Sequence, residues 1–438
     1  MNKKVLIITY YWPPAGGISV LRCLKFAKYL KRQGWEPIIY KPSNADYFHY
    51  DENNFKDIPD EITILEQPIN EPFNLFKKLT GRKKNDSSNP VYARDKKVPF
   101  IDDLAIWIRG NFFIPDARFM WIKPSVEYLK KFLINHPVDA ILTDGPPHTN
   151  TVIACQLSKE LNIPWLADFQ DPWTQVDYYK MLKIGKRADK KHRKMEQDVF
   201  KTAKKITIAS PTWANDLEEI GAKNVDVIFW GYDEDDFRDL KNNLDSKFTI
   251  YHGGILGFDR NPEIFFNVLA DLKNEIPDFS SDLEIKLAGN VDVDVLKSLK
   301  NSNLEENLNN LGFIKRHEAL QCAMNARLLL LPVNKADNAK GRIPGKLFEL
   351  LRTSRPIIGL GIKGGDVENI ILKCNAGVYL NYDDYNEIKE YITNQYFQFK
   401  KGNMVNTFAD VEEYSIENQT KKISRYLDSI VNNEEKQN

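Results

Sequence analysis

The chain has 438 residues, 42% hydrophobic and 12% aromatic, which is ample for real cores and too long for a single typical one. Lys plus Arg and Asp plus Glu each total 61, so the formal charge is +0 and bulk electrostatics give no reason to expect a nucleic-acid partner. Cys23, Cys155, Cys322 and Cys374 are far apart, with no CxxC and no ligand-like His spacing, which excludes a disulfide framework or zinc site and suits a reducing, cytoplasmic setting.

In chain order, the apolar run at 5–9 is too short for a secretory leader and reads as a buried strand. The loop 10–17 follows, ending in Gly16-Gly17, and then an amphipathic helix at 18–32. A glycine pair at a strand-to-helix turn lets another molecule approach the backbone, although the dinucleotide pattern Gly-x-Gly-x-x-Gly is absent. Strands are predicted at 36–40 and 62–65. A polar, basic stretch at 77–97 predicts a surface insertion. The aromatic stretch 100–122 is broken by Asp102, Asp103, Arg109, Asp116 and Arg118, so it cannot span a bilayer. It either covers a core edge or lies at a membrane surface.

Strands at 138–143 and 165–167 end in Asp144-Gly145-Pro146-Pro147-His148 and in Asp168-Phe169-Gln170-Asp171. Polar strand ends at one sheet edge are where open α/β sheets bind ligands. His148 and Asp171 are thus candidate proton acceptors or orienters for a hydroxyl nucleophile, with ordinary turn-forming as the plainer reading of each. Residues 180–205 hold eleven lysines or arginines against three acids. A solvated helix face is the first reading of that run, and contact with anionic lipid or a phosphorylated acceptor the second.

The acidic loop 229–247 marks a domain joint, after which strand and helix alternate again, with strands at 248–251, 283–287, 309–311, 327–331, 356–360 and 377–380. The fold class is α/β, two facing doubly wound, Rossmann-like domains. Domains are placed at 1–230 and 231–410, with a terminal helix from 411 crossing back to the first. The first strand of the second half ends in His252-Gly253-Gly254, followed by a loop with Arg260. The stretch 340–361, KGRIPGKLFELLRTSRPIIGLG, combines a loop, a helix opened by Pro344 and stopped by Pro356, and a buried strand. Lys346 and Glu349 share one face near that helix start, where a cation and the helix dipole attract phosphate and a carboxylate can accept from a ribose diol. An ordinary surface ion pair is the plainer alternative.

These stretches, with YYWPPAGGISVLRCLKFAKYL, DGPPHTN, PWLADFQDPW and YHGGILGFDRNPE, resemble the GT-B glycosyltransferases, most closely the retaining family-four enzymes of bacterial polysaccharide synthesis. The resemblance implies a cytoplasmic transferase, peripheral at the inner membrane face, that moves a sugar from a nucleotide sugar to a saccharide or lipid-linked acceptor without a metal cofactor. It places Gly16 and Gly17 near the donor phosphates, and His148 and Asp171 at the acceptor edge. Gly253 and Gly254 open the donor domain, Arg260 and Lys346 neutralise the diphosphate, and Glu349 binds the ribose. The family pattern has two glutamates separated by seven residues; with Glu349 as the second, the first falls at the position occupied here by Gly341. A silent sugar-nucleotide-binding subunit and a nucleotide-sugar epimerase are the alternatives. The four acids at 233–236 and the pair Asp292 and Asp294 read as a solvated turn and a helix cap rather than a metal clasp.

Overall fold

The computed structural model describes residues 3–47, 49–71, 100–335, 339–402 and 408–435. The predicted insertion at 77–97 lies outside them. The chain forms two compact units, Met1–Phe229 with Ile416–Asn438, and Trp230–Ser415.

The first unit is a seven-stranded sheet in the order β3-β2-β1-β4-β5-β6-β7. Its strands are β1 (Lys3–Ile8), β2 (Trp35–Pro42), β3 (Thr63–Gln67), β4 (Ala140–Gly145), β5 (Trp165–Phe169), β6 (Lys205–Ile208) and β7 (Val225–Val227). Every pairing is parallel. A parallel sheet must be covered on both faces, and β1 shows this: Leu6 and Ile8 enter one core cluster, Val5 and Ile7 the other. Helices α1 (Ile18–Arg32), α2 (Phe100–Phe112), α3 (Ile122–Asn135), α4 (His148–Leu161), α5 (Lys186–Thr202) and α6 (Pro211–Glu219) belong to this unit. The aromatic stretch divides: Trp121 is fully buried and stacks on Tyr40 with centroids 5.0 Å apart, whereas Trp107 and Phe112 stay exposed.

The second unit repeats the plan with six parallel strands in the order β10-β9-β8-β11-β12-β13. They are β8 (Phe248–Gly253), β9 (Leu283–Ala288), β10 (Leu308–Gly312), β11 (Leu328–Pro332), β12 (Ile357–Leu360) and β13 (Gly377–Leu380). The main helices are α7 (Glu263–Glu275), α8 (Val293–Asn301), α9 (Arg316–Asn325), α10 (Lys346–Arg352), α11 (Asp366–Lys373) and α12 (Tyr385–Lys400). Helix α10 starts two residues after Pro344, and it ends at a left-handed turn on Ser354 (φ 54°) before Pro356 can stop it. The last helix, α13 (Ile416–Glu435), starts later than the predicted 411, because a 3-10 turn (Val411–Tyr414) and the extended Ser415 precede it. Its Ile423, Leu427 and Ile430 join the cluster containing Val5 and Ile7 of the first sheet. No described helix is long and apolar enough to cross a membrane.

Strand order reverses between β1 and β4 in the first sheet and between β8 and β11 in the second. Such switch points leave a crevice at the carboxyl ends of the strands, where ligands of open α/β sheets bind. Gly16-Gly17 follow β1, and Gly253-Gly254 close β8, so both glycine pairs sit at a switch point.

Candidate active site

At the second switch point the side chains of three elements converge. Lys346, first residue of α10, donates from Nζ to the Gly253 carbonyl at 3.2 Å and lies 3.5 Å from His252 Nε2. His252 is buried, and its Nδ1 donates to the Leu330 carbonyl across the β8–β11 junction at 3.0 Å, which leaves Nε2 as an acceptor facing the ammonium. Burial, then the Lys346 charge, holds the His252 pKa well below its ordinary value, so the ring is neutral. Burial and the neighbouring charge of Arg260, opposed by Glu349, bring the Lys346 pKa down to about 7. A cation is thus held where it is poorly solvated and only partly compensated by Glu349, a condition an anionic ligand would relieve. The backbone allows close approach: Gly254 has φ +109°, and a Cβ there would stand 3.7 Å from Lys346 Nζ.

Arg260 ends the 3-10 turn Phe258–Arg260 and pairs with its neighbour Asp259 at 3.0 Å. Glu349 lies one turn beyond Lys346 on α10 and is ion-paired with Arg316, which in turn reaches Asp236 at 2.6 Å. Against the cost of burial, Glu349 and Asp236 hold the Arg316 pKa above its usual value. One Glu349 oxygen is therefore engaged by protein. Gly341 is buried in the turn Ala339–Gly341 and offers no carboxylate.

In the first unit, β4 and β5 pair in register so that Asp144 lies beside Asp168. Asp144 is fully buried and accepts from Thr9 Oγ1 (3.2 Å), Asn150 Nδ2 (2.9 Å) and Gln170 Nε2 (3.2 Å). Burial, then the Asp168 charge, raises its pKa to about 7. Asp168 takes a bidentate pair from Arg22, with Nε at 2.5 Å and Nη2 at 2.8 Å, and a bond from Thr207 Oγ1 at 2.6 Å. Arg22 also reaches the carbonyls of Ile228 and Phe229 at 2.8 and 3.2 Å.

His148 opens α4 and stacks face to face on Trp173, with centroids 4.5 Å apart and planes 3° from parallel. Trp173 Nε1 donates to His192 Nδ1 at 3.1 Å. Burial lowers the pKa of His148 to about 3 and that of His192 to about 4, each helped or opposed by nearby charges, so both rings are neutral near pH 7. One helical turn beyond His192, Glu196 accepts from Thr174 N and Oγ1 at 3.1 and 2.7 Å, which fixes the loop carrying Trp173. The anion seat at the start of α4 is already filled: Asp116 accepts from Thr149 N and Oγ1, both at 2.8 Å. These groups surround a cavity of about 290 Å³ lined by Tyr11, Arg109, Phe113, Arg118, His148 and Trp173 among others.

Asp171 is half-buried at the turn after β5 and is not among the cavity-lining residues. Gly16 donates from N to the His49 carbonyl at 2.8 Å and packs on 50–51, whereas Gly17 caps α1 with φ +87° and open space beside its Cα. The structure therefore brings together Gly253, Gly254, Arg260, Lys346 and Glu349 in one unit, and His148 with the strand-end network in the other. Sequence reasoning passed over His252, Arg316, Trp173, His192 and the Arg22–Asp168 pair. Position alone could have flagged His252, because it directly precedes the glycine pair.

No protein-family model and no curated protein sequence matches the chain. Solved structures do. The crystal structure of Anabaena HepE in complex with UDP is similar at a TM-score of 0.63 and 13% identity, covering 97% of this chain and 100% of that one. Sucrose-phosphate synthase from Thermosynechococcus elongatus is similar at 0.55 and 14%, covering 99% and 98%. S. aureus TarM in complex with Fondaparinux, alpha-GlcNAc-glycerol and UDP is similar at 0.57 and 11%, covering 97% and 99%. With its two parallel, doubly wound sheets, the chain has the GT-B fold of these proteins, a Rossmann-like unit followed by a second.

Proposed function

We propose that the chain is a glycosyltransferase that moves a sugar, with retention, from a nucleotide donor to a hydroxyl of a saccharide or lipid-linked acceptor in cell-surface polysaccharide synthesis. The observation that carries this reading is the partly desolvated Lys346 ammonium on the Gly253-Gly254 turn, within the electrostatic reach of Arg260. Structures of the same fold at this level of likeness hold UDP, as HepE and TarM do. The donor diphosphate binds in the second unit, where Lys346 and Arg260 neutralise charge as it develops on the leaving group. Glu349 offers its remaining acceptor capacity to the ribose. The acceptor binds in the aromatic cavity of the first unit.

In the reaction the bond from the anomeric carbon to the diphosphate oxygen breaks, with its electron pair leaving on the diphosphate, and a bond to the acceptor oxygen forms on the same face. The acceptor proton passes to a phosphate oxygen of the leaving group. Two neutral, weakly basic histidines in the cavity support that route, because neither is a strong base near pH 7. His148, stacked on Trp173, then forms part of the wall of the acceptor cavity, and Asp171 orients the loop. The free thiols Cys23, Cys155, Cys322 and Cys374 suit a cytoplasmic enzyme.

Gly341 favours one second reading, a subunit that binds sugar nucleotide without turning it over, because the donor sugar lacks the expected carboxylate. Incubation with a panel of nucleotide sugars separates these: a transferase slowly releases nucleoside diphosphate, a silent subunit only binds, and an epimerase returns an isomerised sugar. Release with none of the donors would sink the transferase reading.

The Lys346 pKa adds a pH signature. It is lowered to about 7 in the free protein, and a bound diphosphate raises it toward the ordinary 10.5. Between those values binding takes up a proton, so affinity for UDP should fall as pH rises above about 7. Calorimetry in buffers of different ionisation enthalpy should report proton uptake at pH 8, and Lys346→Arg should abolish it.

A further inference from the structure

Helix α10 carries its charged side chains on one face, three residues apart: Lys346 at the glycine turn, then Glu349, then Arg352. Each meets a different partner. Lys346 sits on the Gly253 carbonyl, Glu349 Oε1 accepts from Arg316 Nη2, and Arg352 Nε donates to Glu234 Oε1 at 2.7 Å. The last two lead to the same place, the 3-10 turn Glu234–Asp236, because Arg316 Nη1 donates to Asp236 Oδ2 at 2.6 Å. The sequence reads this turn as solvated, yet the Asp236 side chain is only 4% accessible. Asp233 closes the turn by accepting from Asp235 N at 3.0 Å, and Phe237, next in the chain, has the Arg352 guanidinium over its ring at 5.3 Å.

Arg316 is thus divided between two carboxylates. Its planar guanidinium offers N–H groups in fixed directions, so a buried acid that holds one terminal nitrogen sets where the other points. A lone glutamate on a helix face is free to turn about its side-chain torsions, whereas Glu349 has its carboxylate pinned at Oε1. Its other oxygen, Oε2, accepts no hydrogen bond from a described residue, and the side chain is 22% accessible, so a ligand can reach it. Oε2 has room for two donors, which the 2′ and 3′ hydroxyls of one ribose would together supply.

We propose that Arg316, held in place by Asp236, is a positioning residue for nucleotide recognition: it occupies one oxygen of Glu349 and aims the other at the ribose, making the site selective for ribonucleotides over 2′-deoxyribonucleotides. This rests on the reading of Glu349 as the ribose acceptor. A carboxylate that is already aimed loses little freedom on binding, so the diol gains charge-assisted bonds that a sugar lacking one hydroxyl gains only in part. The phosphates, gripped by Lys346, are indifferent to Arg316.

Titration calorimetry on the full chain tests this, with the tightest-binding of UDP, GDP, ADP and CDP compared against its 2′-deoxy counterpart. The wild type should prefer the ribonucleotide by about tenfold or more. Glu349→Ala should remove that preference, and Arg316→Met should do the same, while affinity for the 2′-deoxy ligand holds in both. Because Arg316→Met leaves Asp236 buried without its cation, Arg316→Met combined with Asp236→Asn repeats the measurement with no stranded charge, and its thermal midpoint should match the wild type. Preference lost in Glu349→Ala but kept or enlarged in both Arg316 variants would overturn the proposal and leave the ribose reading standing. So would Arg316 variants that weaken both ligands equally, which would mark a purely structural ion pair. Preference kept in Glu349→Ala, no preference in the wild type, or binding of none of the four nucleotides would overturn the ribose reading and the proposal with it.

Discussion

Lys346→Ala is expected to weaken UDP binding by about 1.5–3 kcal/mol, or about ten- to a hundredfold, the usual worth of a hydrogen bond made by a charged group. The expectation rests on where the ammonium is kept. It is half-buried against the Gly253 carbonyl, its pKa is lowered by burial and by Arg260, and a diphosphate would supply the counter-charge it lacks. Folding should not suffer, because the substitution removes a poorly solvated cation, and the thermal midpoint of the free protein should hold or rise. Arg260→Ala should cost less, since that guanidinium already has Asp259 as partner. Isothermal titration of UDP into both variants checks the order. Affinity unchanged in Lys346→Ala would remove the donor site from this turn.

The largest loss of stability is expected from Asp168→Ala. Arg22 and Asp168 are both essentially inaccessible, so removing the carboxylate strands a buried guanidinium and takes a partner from Thr207. Breaking such a pair costs about 3–5 kcal/mol. Urea unfolding followed at the first unit should show its transition at markedly lower denaturant, while the second unit's transition stays in place. Because two units can unfold separately, the two transitions must be fitted individually. Arg22→Met combined with Asp168→Leu should recover much of the loss, because two apolar side chains of similar volume avoid the stranded charge. A double variant no better than Asp168→Ala would show that the Arg22 bonds to the Ile228 and Phe229 carbonyls matter more than the pair itself.

The sheets were legible because their strands are short apolar runs at regular spacing. Residues 377–380 were predicted as a strand and form β13, and the run at 5–9 differs from β1 only at its ends. The glycine turn after β8 and the helix start at Lys346 were each readable, since strand, turn and helix announce themselves locally, but not their meeting across 93 residues. The long-range pairings were not. Arg22 reads as one polar residue on an amphipathic helix, and its partner lies 146 residues away. His192 and Glu196 are hidden in a cationic run, where only the fold shows that they form the buried stripe of α5. Asp171 drew attention in place of Asp168 because both lie in one polar stretch, and only the strand register puts Asp168 beside Asp144. Exposure was no more readable. The sequence does not separate Trp121, stacked on Tyr40, from Trp107, left to solvent.

The first unit is discontinuous in sequence, and this sets the order in which the protein can be made. Ile423, Leu427 and Ile430 of α13 cover the face that holds Val5, Ile7 and Leu24, and Gln419 accepts from Phe229 N at 3.0 Å. On the ribosome that face stays bare while the whole 230–415 segment emerges, so the amino-terminal sheet cannot complete its core until the last helix has been made. A chain that ends before α13 would keep that apolar face uncovered and prone to aggregate.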